Sequence, residues 1–161
     1  MPIPPAPHPD RERLPQGMWD VVVIGAGPAG CAAAIEAARA GRGVLLVERT
    51  TFPRYKVCGG CVNPRALADL ADLGCLDAVR ATGAPEIDRF RWSAGGRTAE
   101  IPLPGGVAIS RAALDEILLN SARQAGCTVV EGSSQPSRRT IRSPTTNRPL
   151  GTPSDARASL G

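Results

Sequence analysis

The chain has 161 residues, 42% of them apolar, and a formal charge of +4, which bounds it to one ordinary domain with enough apolar material for a core. Its arginines crowd into both ends, with no basic stripe interleaved with aromatics, so no nucleic-acid partner is expected. No N-terminal apolar run is long enough for a signal peptide or a membrane span, so no transmembrane segment and a cytoplasmic location are expected, and the five cysteines read as reduced thiols.

Residues 1–17 carry Pro2, Pro4, Pro5, Pro7, Pro9 and Pro15. They lack apolar periodicity and continuous backbone donors, so a disordered leader is expected. The fold starts near Trp19, and Met18 is a candidate for the true start of translation. Val21-Val22-Val23-Ile24, all β-branched, suits a strand buried on both faces of a parallel sheet. The run stops at Gly25-Ala26-Gly27-Pro28-Ala29-Gly30 and turns into an alanine-rich helix pattern. Gly25 allows the sharp exit from the strand, Gly27 lets a pyrophosphate approach bare backbone, and Gly30 lets the helix lie close to the strand. The helix then directs its free N–H groups and positive dipole end at the phosphates.

Ala34 is small where close packing needs it, Gly41 ends the helix, and Val44-Leu45-Leu46-Val47 is a second buried strand. Glu48 stands at its C-terminal end, about twenty residues beyond the glycines. A carboxylate there accepts hydrogen bonds from both ribose hydroxyls of an adenosine and repels a 2′-phosphate. The spacing predicts an adenine dinucleotide, with NADP disfavoured. The plain alternative is a glycine-rich turn in an unrelated α/β domain with Glu48 merely solvated.

The segment from Arg49 to Cys61 is too rich in Pro and Gly to continue either element, so a loop leaves the C-terminal edge of the sheet. Ligands bind at that edge in open α/β folds, which puts Arg54, Lys56, Cys58, Gly59 and Gly60 beside the cofactor. Asn63 caps a helix with Pro64 in its first turn, Leu67, Leu70 and Leu73 on one face and Gly74 at its end. A short helix over 76–81 follows. Phe90 and Trp92 alternate with Arg89, Arg91 and Ser93, Ala94-Gly95-Gly96 supplies a turn, and 98–103 returns as a hairpin. Ser110 caps a helix with Leu114, Ile117, Leu118, Ser121 and Ala122 on one face; Gly126 ends it, and Thr128-Val129-Val130 makes a third parallel strand. From Ser133 to Gly161, Ser, Thr, Pro and Arg dominate without period. A disordered or frame-shifted tail is expected over 133–161, leaving 18–132 as the folded part.

With these residues in hand, the chain resembles the N-terminal part of an FAD-dependent oxidoreductase of the para-hydroxybenzoate hydroxylase superfamily, within its geranylgeranyl reductase-like group. The resemblance rests on Gly25 to Gly30 with Glu48-Arg49, on Phe52-Pro53-Arg54-Tyr55-Lys56-Val57-Cys58-Gly59-Gly60 running into a Leu-rich helix, and on Ile109-Ser110-Arg111-Ala112-Ala113-Leu114-Asp115. It implies an α/β fold: a Rossmann-like FAD/NAD(P)-binding βαβ unit with a parallel sheet and a β-hairpin insertion, as an incomplete domain. It also implies that Gly25, Gly27, Ala29 and Gly30 hold the FAD pyrophosphate, Glu48 the adenosine ribose, and that the Cys58-Gly59-Gly60 loop lies near the flavin ring, with Pro28, Arg49 and Lys56 also counted among the cofactor-binding residues. Arg111 matches an arginine close to the cofactor's phosphates; on spacing alone it is equally a first-turn surface arginine. Arg54 and Lys56 read either as a solvated basic loop or as cations balancing the diphosphate or a reduced, anionic flavin.

The implied activity is reduction, hydroxylation or halogenation of a small organic, isoprenoid-like substrate, with NAD(P)H as a compatible electron donor. The family's later Gly-Asp motif has no credible counterpart, since Ser154-Asp155-Ala156 does not match it. Catalysis by this chain alone is therefore in doubt, and a non-catalytic dinucleotide-binding fragment or a non-functional truncation are alternatives. Cys58-Gly59-Gly60-Cys61 also echoes a flavoprotein disulfide reductase, but those enzymes space their dithiol more widely. A zinc site lacks a second half-site, because His8 is the lone histidine. Cys31, Cys75 and Cys127 read as small hydrophobes.

Overall fold

The computed structural model describes residues 17–133; the expectations placed on residues 1–16 and 134–161 lie outside the described residues. The order is β1 (Val21–Ile24), α1 (Pro28–Arg39), β2 (Val44–Val47), β3 (Cys61–Val62), α2 (Pro64–Asp72), α3 (Leu76–Ala81), β4 (Arg89–Ala94), β5 (Arg97–Pro102), β6 (Val107–Ala108), α4 (Arg111–Gln124) and β7 (Thr128–Val130). The fold is α/β, a parallel βαβ unit with a hairpin inserted before its third strand.

The main sheet runs β1-β2-β7, all parallel. Val21 faces Val44 and Ile24 faces Val47 across the first pair, while Leu45 faces Thr128 across the second. Every residue of β2 is buried, as a central strand covered on both faces should be. The same expectation fails for β1, which is only half-buried and leaves Ile24 67% exposed. Its physical reason is position: among the described residues β1 is an edge strand, so one side has nothing to pack against.

Val44 and Leu46 point into a core shared with Cys31, Ala34 and Ile35 of α1 and with Leu114, Leu118, Leu119 and Ala122 of α4. Leu45 and Val47 pack on the opposite face with Val130, against Trp19 and Val22. Alanines keep α1 thin, so α4 lies directly against it and Cys127 Sγ reaches the Ala34 carbonyl at 3.4 Å. The face expected for α4 is corrected: Asp115 and Leu119 are fully buried, whereas Ile117 and Ser121 are only partly so.

The helix ends follow the caps read in the sequence. Asn63 Oδ1 accepts the Ala66 N–H at 2.8 Å, and Ser110 Oγ accepts the Ala113 N–H at 3.2 Å. Arg39 ties the end of α1 to α2 by donating to the Asp72 and Leu73 carbonyls, both at 2.9 Å. The hairpin β4-β5 has a polar face, where Arg89 and Arg91 pair with Glu100, and an apolar face with Phe90, Trp92 and Ile101. Two features escape the sequence reading, the two-residue strands β3 and β6, which pair antiparallel and tie the loop after β2 to the segment before α4. Strands that short carry no periodicity to read.

Candidate functional site

The site is built where β1 turns into α1. Gly25 has φ +98°, a conformation in which a side chain is strained, and its N–H donates to the Val47 carbonyl at 2.7 Å, closing the turn onto β2. Gly30 is forced by contact: a Cβ there would stand 1.9 Å from the Gly25 carbonyl oxygen. Gly27 differs from both. Its φ of −79° suits any residue, and a Cβ there would meet only Arg54 Nη2, at 3.7 Å. Gly27 is the N-cap of α1 with no side-chain cap, Pro28 opens the helix, and no acidic residue sits in the first turn. The Ala29 and Gly30 N–H groups therefore have no partner inside the helix, at the end where the dipole is positive.

Glu48 closes the next wall. It is only 3% exposed, and its Oε2 accepts the Ala26 N–H at 2.8 Å and pairs with Arg54 Nη1 at 2.9 Å. Its Oε1 accepts the Thr50 hydroxyl at 2.9 Å and the Thr50 N–H at 3.2 Å. Burial pushes this carboxyl up, but the donors on Ala26 and Thr50 and the Arg54 charge outweigh it, so its pKa lies below the ordinary 4.5. The sequence marked Glu48 for its reach to a ribose; the structure adds that it pins the glycine turn to β2 from inside.

Arg54 is not a solvated loop cation. Its guanidinium is buried against the Phe52 ring, 4.7 Å from the centroid, and donates to the Ala26 carbonyl at 3.0 Å. It pairs on one side with Glu48 and on the other with Asp115 Oδ2 at 3.1 Å. Its Nε–H has no hydrogen-bond partner among the described residues. Asp115, wholly buried on α4, also takes Arg111 Nε at 2.9 Å and Arg111 Nη2 at 3.1 Å. Sequence reasoning quoted Asp115 and gave it no task. The signal was an acid inside the apolar stripe of α4, spaced i,i+4 from Arg111.

Between these walls lies a cleft of about 500 Å³ lined by Gly25, Gly27, Pro28, Ala29, Gly30, Glu48, Arg49, Arg54 and Lys56, with Ile24, Val47 and Ser133. Ser133 is a lining residue the sequence did not suggest; its N–H donates to the Glu48 carbonyl at 3.0 Å. The structure does not bring Cys58, Gly59, Gly60 or Arg111 into this lining. Cys58 and Cys61 are exposed and unbridged, each bonded to the Gly59-Gly60 backbone: Gly60 N–H donates to Cys58 Sγ, and Cys61 Sγ donates to the Gly59 carbonyl. Arg111 is spent on Asp115, and the bond to that carboxylate raises its pKa.

Comparison with known proteins agrees with this geometry. The family model for FAD dependent oxidoreductase matches residues 20–69. The menaquinone reductase of Mycobacterium tuberculosis is 42% identical over 124 residues, covering 71% of this chain and 29% of that protein. The geranylgeranyl diphosphate reductase of Rhodobacter capsulatus is 36% identical over 117 residues, covering 71% and 28%. Among solved structures, the myxobacterial chondrochloren halogenase, an FAD-dependent halogenase, superposes with a TM-score of 0.65 at 28% identity, over 73% of this chain and 29% of that one. The oxygenase of 2-methyl-3-hydroxypyridine-5-carboxylic acid gives 0.61 at 27% identity, over 70% and 31%. This chain thus spans less than a third of the length of these relatives. Over that shared length, the chain is similar to the N-terminal part of FAD-dependent oxidoreductases of the para-hydroxybenzoate hydroxylase and geranylgeranyl reductase-like group.

Proposed function

We propose that the cleft holds the ADP half of FAD and that this chain is the nucleotide-holding part of a flavin-dependent reductase acting on a small, isoprenoid-bearing organic substrate. One observation carries the reading: Gly25 and Gly27 leave the main chain bare at the N-terminus of α1, where the Ala29 and Gly30 N–H groups have no partner inside the helix, and Arg54 lines the same cleft. A diphosphate fits those donors. It needs backbone without Cβ, the positive end of a helix and nearby cations, and Gly27, Pro28, Ala29, Gly30, Arg54 and Lys56 provide them. Glu48 lines the cleft with both oxygens engaged, and an adenosine ribose would take the place of the Thr50 hydroxyl on Oε1, at a carboxylate that repels a 2′-phosphate.

When bound, FAD supplies the electron transfer at its flavin ring. This chain's part is to grip and orient the nucleotide, with Arg49 and Lys56 lining the cleft, and the family resemblance would put the Cys58-Gly59-Gly60 loop near the flavin. Reductase is favoured over halogenase or oxygenase by the 42% identity to a protein named for menaquinone reduction. The test is an equilibrium titration of the purified chain with ADP, 2′,5′-ADP and FAD. Saturable binding of ADP that FAD displaces and 2′,5′-ADP does not match is expected. A folded chain that binds neither ADP nor FAD overturns the reading.

A further inference from the structure

Four charges are packed behind the cleft: Glu48 and Asp115 against Arg54 and Arg111. They balance, and they form a line from α4 to the glycine turn, Arg111 to Asp115 to Arg54 to Glu48, with Glu48 on the Ala26 N–H and Arg54 on the Ala26 carbonyl. A buried carboxylate is an expensive way to hold two elements together, because desolvating it costs several kcal/mol and an apolar side chain of similar volume packs as well. Asp115 is wholly buried and sits between Leu114 and Leu118 on α4, where an apolar residue would serve stability. What an apolar residue would not do is fix the plane of Arg54.

The guanidinium is a rigid fork. With Nη1 on Glu48 and Nη2 shared between Asp115 and the Ala26 carbonyl, its plane is determined, and so is the direction of its unpartnered Nε–H. Without Asp115, Nη2 keeps a single carbonyl and the fork can turn away from the cleft wall. Arg111, one turn earlier on α4, puts two N–H groups on Asp115 and lies outside the cleft lining.

We infer that Asp115 is a positioning residue of the nucleotide site, acting through Arg54, with Arg111 as its counter-ion. The inference rests on the dinucleotide reading of the cleft. It is tested by a double-mutant cycle on ADP affinity in the full chain, using Asp115→Asn, Arg54→Met and the pair, with urea unfolding of each variant as the measure of stability. Each single substitution should weaken ADP by about tenfold, the lower end of what partners of ligand residues contribute in metal sites. The double variant should be no weaker than the worse single one, because Asp115 has nothing left to position once Arg54 is gone. Losses that multiply overturn the inference and leave Asp115 a residue of stability alone. If Asp115→Asn does not fold, Asp115→Glu, which keeps the charge and shifts the carboxylate, takes its place in the cycle with Arg54→Met, and losses that multiply there overturn the inference in the same way. A parent chain that binds neither ADP nor FAD is a different failure, that of the cleft reading itself.

Discussion

Replacing Gly30 and Gly27 by alanine, one at a time, separates the two reasons for a glycine at this turn. In Gly30→Ala the new Cβ stands 1.9 Å from the Gly25 carbonyl oxygen and 3.4 Å from Val23 Cγ1. The first of these atoms is backbone and cannot rotate away. Restoring a normal contact takes about 1 Å of movement between α1 and β1, which opens the packing of Cys31, Ala34 and Ile35 on the sheet. Overpacking of this kind costs about 1–3 kcal/mol, and more where only backbone can yield. In Gly27→Ala the Cβ meets only Arg54 Nη2 at 3.7 Å, and the φ of −79° is unstrained. The fold should therefore stay within about 0.5 kcal/mol of the parent, the usual range for a change that touches nothing. ADP affinity should nonetheless fall by about tenfold or more, since a methyl now occupies bare main chain at the helix end. Urea unfolding and ADP titration of both variants read the two effects separately. A Gly30→Ala chain as stable as the parent, or a Gly27→Ala chain that binds ADP unchanged, refutes the respective argument.

Three further outcomes follow from the same geometry. Glu48→Gln leaves the Arg54 charge short of one partner in a buried place and should destabilise the fold by about 3 kcal/mol near neutral pH. Because the folded pKa of Glu48 lies below 4.5, its stabilisation is complete above that value and lost as the pH falls through the folded pKa; chemical unfolding at stepped pH should show a shallower acid limb in the variant. Burial, with the Asp115 charge, pushes the Cys31 thiol up to about 12, and burial raises Cys127. Mass spectrometry after iodoacetamide at pH 8 should find Cys58 and Cys61 alkylated and Cys31, Cys75 and Cys127 protected until urea is added, and early labelling of Cys31 would contradict the packing of α1. Asn63→Ala removes the cap of α2 and should cost about 1 kcal/mol with nucleotide affinity unchanged, measured by the same unfolding and titration pair.

The local rules were legible in the chain. Two apolar runs, glycines at 25, 27 and 30, caps at Asn63 and Ser110 and alternation at Phe90 and Trp92 depend on neighbours a few residues apart, so they predict β1, α1, β2, α2, the hairpin and α4, and with them the glycine turn. Glu48 was legible too, because its distance from the glycines is set by one strand-helix-strand unit. What the chain could not tell was the company these residues keep. Arg54, read as either solvated or cofactor-facing, is buried because residues 28 and 61 positions away converge on its guanidinium. Asp115 looked like one more charge on a helix, and its burial follows only from α4 lying on α1 beside that arginine. Periodicity and spacing are properties of a segment, whereas the partner of a buried charge is decided by which segments the fold brings together.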